Sequence, residues 1–358
     1  PADKCYAKLH VVYNNVDDRS LPYGELVGPA SKIPQPEEPT LKSRDQFRYI
    51  GKPLQRHDQA DMVVGARTYG ADAKVPGVKY AAISHVPVLG GTVKSFDKEA
   101  AMAMPGVVDV VLIPRFEQAY GSVGGVAVVA DNTWTAQQAL QKLNIEFEAG
   151  DNGSYNTEEY KQQLVKNVEA PAKKEFEKGS LEQAFEQAKV RHKATYVGGH
   201  LSHSPMEPMA SLVWVQDEKC EIWASTQDPA GIQGTIGAYL ERKPEDITVH
   251  VMASGGAFGR KFMCDYVQEA AACSKAVGAP VQLTWSREED TQTGYYHSCS
   301  AQHIEASVDS SGKVTGWLHR AAFPAIGSTF NPEVVQPSAG DLVAVSIHPF
   351  GIDNVGVE

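Results

Sequence analysis

The chain has 358 residues, 42% of them hydrophobic and 22% charged, enough to bury a core in two or three domains without disulfide or metal staples. Its formal net charge of -11 repels a phosphate backbone and argues against nucleic acid as a partner. No apolar run approaches the ~20 residues of a membrane span.

Residues 1–50 read as an N-terminal arm and connector. The stretch YAKLHVVYNN alternates like a strand, RSLPYGEL opens a short helix, and IPQPEEPTLKS is an extended, proline-rich link. The chain opens on Pro1 rather than Met, which reads as a processed product or a piece of something longer. Residues 51–150 change rhythm. GVKYAAISHVPV, VVDVVLI, GVAVVA and NIEFEA are strand-like, and SFDKEAAMAMPG and NTWTAQQALQKL are helical, so strands alternate with helices in a small mixed domain. GDNGSYN marks a boundary, and the charged run from Asn156 to Gly179 reads as an exposed helix with a linker. Ser180 and Gln183 stand in capping-box positions for the next helix, whose apolar face is Leu181, Ala184, Phe185 and Ala188.

From Val190 the pattern turns strand-rich, with HKATYVGG, ASLVWVQ, CEIWAST and, after a helix at PAGIQGTIGAYLE, the strand ITVHVM. Trp214 and Trp223 read as core strand residues. Then comes Gly255-Gly256-Ala257-Phe258-Gly259-Arg260-Lys261, followed by a helix from Phe262 that Gly278 and Pro280 end. VQLTW is the next strand, and SREED is a capped, solvated helix start. The five cysteines include no C-x-x-C pair, so neither an iron–sulfur cluster nor a zinc knuckle is written here. Cys264 and Cys273 share the predicted helix, about 13.5 Å apart along its axis and too far for a disulfide. Buried free thiols are the expectation.

A strand, a glycine-rich turn and a helix form an anion cradle: the first helical amides lack partners, the dipole adds positive charge, and glycines admit a ligand to the backbone. Arg260 and Lys261 could add charge for a phosphate. The spacing is neither that of a P-loop, since Phe262 stands where a hydroxyl is needed, nor G-x-G-x-x-G. A nucleotide-binding α/β enzyme is therefore the weaker alternative, and a tight turn without a ligand, with Phe258 as a plug beneath it, remains open. His200 and His203 lack a third ligand for a metal site. Glu207 reads equally as the lining of a funnel and as a paired carboxylate.

The block SGGAFGRK resembles the Gly-Gly-Gly-Phe-Gly motif of molybdenum hydroxylase large subunits, the xanthine oxidase family. The segment from Thr68 through GGTVKSFDKEAAMAMPGVVDVV, together with GGVAVVADNTWTAQQAL, is similar to that family's α/β hammerhead domain. HSPMEPMASLVWV and WASTQDP are similar to its next two motifs, in the family's order, and KSFD, VADNTW and WSREED are most like the isoquinoline 1-oxidoreductase beta-subunit branch. The resemblance covers roughly residues 20–320. It implies an α+β chain: an α/β hammerhead domain at 51–150, a linker helix at 151–180, and the first part of a molybdopterin-binding α/β domain at 181–358.

It also implies a molybdenum-pterin cofactor, in a cytosine dinucleotide form for some members, beside Gly255, Gly256, Ala257, Phe258, Gly259, Arg260 and Gln227. His200 stands where the family carries a glutamine, and Phe262 where purine-oxidising members carry a glutamate. The family's general-base glutamate lies beyond residue 358, and the surroundings of Glu358 do not match it, so no catalytic residue is assigned. The metal is held by the pterin dithiolene, so no cluster of protein ligands is required. The reaction implied is oxidative hydroxylation of an N-heteroaromatic compound or an aldehyde, with electrons leaving through iron–sulfur clusters in a partner subunit. This chain alone is then expected to be inactive, and a non-catalytic scaffold of the same fold is the alternative. Near relatives often work in the bacterial periplasm; the sequence leaves location open.

Overall fold

A computed structural model describes residues 2–35, 37–331, 333–346 and 350–358. The chain divides into two compact units, Pro1–Val63 and Val64–Glu358. In the first, β1 (Cys5–Lys8), β2 (Val11–Asn14) and β3 (Ser20–Pro22) form an antiparallel sheet, followed by α1 (Tyr23–Ala30) and α2 (Gln59–Val63). The single strand expected over Tyr6–Asn15 is a hairpin. Leu9 and His10 take positive φ values of 48° and 64° to turn it, and Tyr6 stacks on Tyr13 across the pair at 5.1 Å.

The second unit is a mixed helix-and-sheet fold. Its elements are β4 (Lys79–His85), β5 (Thr92–Ser95), α3 (Lys98–Met102), β6 (Val107–Ile113), β7 (Gly125–Ala130), α4 (Thr133–Leu140), β8 (Glu146–Glu148), α5 (Thr157–Glu169), β9 (Phe176–Lys178), α6 (Leu181–Glu186) and β10 (Val190–Gly198). They continue with β11 (Ala210–Val215), β12 (Cys220–Ala224), α7 (Pro229–Leu240), β13 (Ile247–Val251), α8 (Asp265–Val277), β14 (Val281–Thr284), α9 (Arg287–Gln292), β15 (Ser300–Val308), β16 (Val314–Ala322), α10 (Ala339–Ser346) and β17 (Asn354–Val357). Seven strands run in the order β13-β12-β11-β14-β4-β7-β6, five in the order β10-β15-β16-β17-β9, and β5 pairs with β8.

The seven-stranded sheet draws on both halves of this unit. β4 and β14, far apart in sequence, are parallel neighbours, with Val281 opposite Lys79 and Leu283 opposite Ala81. β7 is buried along its whole length, as a continuous run of small and β-branched apolar residues requires. Helix α8 is buried from Asp265 through Ser274; its run Ala270–Ala272 brings it close enough to pack on β6, β11 and β14. The helix read as exposed, α5, buries Leu164 and Val168 against Cys299 and Ala301. Cys220, Cys264, Cys273 and Cys299 are buried free thiols, whereas Cys5 is exposed.

Candidate functional site

β12 ends at a loop, Ser225–Asp228, that turns into α7. Asp228 caps that helix by accepting from the Gly231 amide at 2.9 Å, and Pro229 starts it. Parallel to β12, β13 delivers the glycine-rich bend. Between the two lies a hidden ion pair. Lys261, fully buried, donates from Nζ to Glu207 Oε2 at 2.6 Å and to Ser225 Oγ at 3.0 Å. The same carboxylate accepts from the Gly255 amide at 2.9 Å, the Ser225 hydroxyl at 3.1 Å and the Ala71 amide at 3.0 Å. Burial works against its charge, but the donors from Lys261, Gly255 and Ala71 outweigh burial and hold Glu207 below the usual carboxylate range. Burial also pulls the Lys261 ammonium down, and Glu207 counters that pull. Four donors on its two oxygens favour the ionised carboxylate. Glu207 is thus a paired carboxylate, one of the two readings its sequence allowed.

The bend itself is a string of special backbone conformations. Gly256 and Gly259 take φ values of 100° and 92°, and Phe258, without glycine's freedom, takes 55°. A side chain on Gly255 would begin 2.6 Å from Glu207 Cβ, so only glycine fits there. Gln227 Oε1 accepts from the Gly259 amide at 3.0 Å, while the Gln227 amide and the Thr226 hydroxyl donate to the Lys261 carbonyl at 2.9 and 3.2 Å. Gln227 therefore meets the bend through the Gly259 amide and the Lys261 carbonyl. The amides of Gly256, Ala257 and Phe258 reach no acceptor among the described residues. The bend lies at the surface, with Phe258 68% exposed, so Phe258 is not a plug.

Two expectations fail here. Arg260 and Lys261 offer no charge to a phosphate: Arg260 is buried, donates to Asp265 at 2.9 and 2.6 Å, and lies 5.0 Å from the Trp285 ring centre. Nor does a helix start on the glycines. A 3-10 turn, Arg260–Phe262, intervenes, and α8 begins at Asp265, whose carboxylate sits in its first turn. Both findings remove the basis for a nucleotide phosphate site.

His200 is exposed, with Nε2 2.7 Å from the Tyr155 hydroxyl and Nδ1 3.3 Å from the His297 carbonyl. The histidine at the bend is His203: its Nε2 lies 3.8 Å from where a side chain on Gly259 would begin. Burial first, then His297 and Arg260, push His203 down to about 4. Phe262, half exposed, stands edge-on to Tyr120 at 6.0 Å, and Tyr120 contacts Tyr295 and Phe330 in turn.

Beneath Trp285 lies a polar network that no motif announced. His85 bridges two carboxylates, Nε2 to Glu269 at 3.0 Å and Nδ1 to Glu289 at 2.6 Å. Glu269 also accepts from Ser122 at 2.6 Å and Trp285 at 2.8 Å. The SREED segment is accordingly less solvated than its charge suggests: Glu289 turns inward to His85, and Asp290 is buried and paired with Arg287. Burial alone would strip His85 of its proton, but the two carboxylates raise it to about 9.

Residues 160–342 match the molybdopterin cofactor-binding domain. The chain belongs to that family. It is 28% identical over 351 residues to isoquinoline 1-oxidoreductase subunit beta of Brevundimonas diminuta, covering 86% of this chain and 44% of the relative. It is 29% identical over 331 residues to a membrane-bound aldehyde dehydrogenase (pyrroloquinoline-quinone) of Gluconacetobacter polyoxogenes, covering 89% and 42%. The solved aldehyde oxidoreductase of Desulfovibrio gigas superposes with a TM-score of 0.60 at 19% identity, over 84% of this chain and 37% of that one. The chain spans less than half the length of these relatives. The matched domain contains the glycine bend, Gln227, His203 and the Lys261–Glu207 pair.

Proposed function

We propose that this chain is the segment of a molybdenum hydroxylase large subunit that forms the bend side of its cofactor site. The enzyme hydroxylates an N-heteroaromatic compound or an aldehyde. The observation that carries this reading is the row of acceptor-free amides at Gly256, Ala257 and Phe258, held open by Glu207 and Gln227 inside the cofactor-binding domain. Successive amides with glycine at the turns donate to an anionic or strongly polar ligand. The residues present fit the molybdenum-pterin group: Gly255, Gly256, Ala257, Phe258 and Gly259 supply the backbone surface, and Gln227 fixes Gly259.

Arg260 serves from below, through its ion pair with Asp265, by anchoring the turn rather than by touching the ligand. His200 stands at the margin, its ring engaged by Tyr155. When bound, the cofactor supplies Lewis acidity and takes up electrons; the protein binds it, orients it and shields it. Phe262 offers an apolar wall three residues past Gly259, which suits a planar ring. The name of the Brevundimonas relative as subunit beta supports an iron–sulfur partner subunit for electron transfer. We take the pterin to be the cytosine dinucleotide form and the domains to fall at 51–150 and 181–358.

The test is metal analysis of the complex that contains this chain, purified from its native host. About one molybdenum per large subunit is expected. Molybdenum-free protein, obtained under conditions that load relatives, rejects the proposal.

A further inference from the structure

The orientation of His203 defines a donor at the bend. Its ring packs against His297 with centroids 4.1 Å apart and planes tilted by 31°. Its Nδ1 is buried and meets no partner among the described residues, while Nε2 lies 3.8 Å from where a side chain on Gly259 would begin. A neutral imidazole carries one proton on one of two nitrogens. On Nδ1 that proton would make an orphaned buried N–H, the rarer and costlier kind of unsatisfied group. On Nε2 it leaves only a lone pair buried and turns the N–H toward the bend. Burial, the neighbouring His297 and the Arg260 guanidinium keep the ring uncharged, with its protonation down at about 4. The result at neutral pH is an uncharged donor beside Gly259, at the end of the bend that carries the acceptor-free amides of Gly256, Ala257 and Phe258.

We propose that His203 is a positioning residue whose Nε2–H donates a hydrogen bond to an oxygen of the group seated on the Gly256–Gly259 bend. The inference rests on the reading that this bend receives the molybdenum-pterin group. It assigns the donor to His203 rather than His200, whose ring is already engaged.

The experiment compares the complete complex carrying wild-type chain, His203→Gln, which keeps an N–H donor, and His203→Phe, which fills the space without one. Molybdenum and pterin retained after dialysis are measured, with the electron paramagnetic resonance spectrum of the partly reduced metal. His203→Gln should retain cofactor within about twofold of wild type. His203→Phe should retain about tenfold less, the equivalent of one hydrogen bond, and shift the spectrum of what remains. Molybdenum in the wild type with an unaltered His203→Phe overturns the role of His203 alone. A wild type without molybdenum overturns the functional reading, and this inference with it. Nitrogen NMR of ¹⁵N-histidine-labelled wild type needs no variant and decides the case if His203→Phe does not fold: a proton on Nδ1 rather than Nε2 sinks the proposal.

Discussion

Single residues here carry more than their sequence context announces. Glu207, Lys261 and Arg260 are charged side chains in a glycine-rich neighbourhood, and charge beside glycines invites a ligand-binding reading. Their burial reverses it: each charge is consumed by a protein partner, and it is the backbone amides of Gly256, Ala257 and Phe258 that lack acceptors among the described residues. His85 makes the same point, since nothing in GVKYAAISHVPV distinguishes a satisfied core histidine from one locked between Glu269 and Glu289. Its folded value near 9 lies above the ordinary 6.5. Below pH 6.5 both folded and unfolded chains hold the proton, and the stabilisation is complete. Between 6.5 and 9 the unfolded chain releases it first, so stability falls as pH rises, by a few kcal/mol at most. Urea midpoints measured from pH 6 to 9.5 should decline in wild type and decline less in His85→Gln. Parallel curves would remove His85 from that role.

At the scale of elements, local pattern located most strands and helices but missed where they begin. The helix expected from Phe262 starts at Asp265, because Phe262 and Met263 finish a separate turn that closes the bend. The hairpin at Leu9–His10 was invisible because neither residue is an ordinary turn former. Burial of whole elements was legible only where the sequence is uniformly apolar, as in β7. That strand also contains a steric demand that no periodicity reveals: a side chain on Gly125 would collide with the Ser84 carbonyl oxygen and begin 2.9 Å from His85 Cα. Backbone atoms of a paired strand cannot move aside cheaply. Gly125→Ala should therefore destabilise the chain by about 1–3 kcal/mol, read as a lowered denaturant midpoint. An unchanged midpoint would mean β4 and β7 are less tightly paired than described.

At the scale of the molecule, the seven-stranded sheet makes the 79–130 and 210–284 segments one mechanical unit. β4 lies between β7 and β14, and the Lys79 amide donates to the Pro280 carbonyl at 2.8 Å. Elements held by pairings this distant in sequence open together. Native-state hydrogen exchange should give β4, β7 and β14 a common opening free energy, and a clearly lower value for β14 alone would contradict a shared unit. The sequence by itself determined the family, the order of its motifs and the place of the glycine bend, because those depend on residue types at short spacing. Only the tertiary structure decided which charges were free, which histidine faced the bend and which amides lacked acceptors. Those properties are set by partners such as Glu207 with Lys261 and His203 with Gly259, more than fifty residues apart, and no local pattern encodes a partner at that distance.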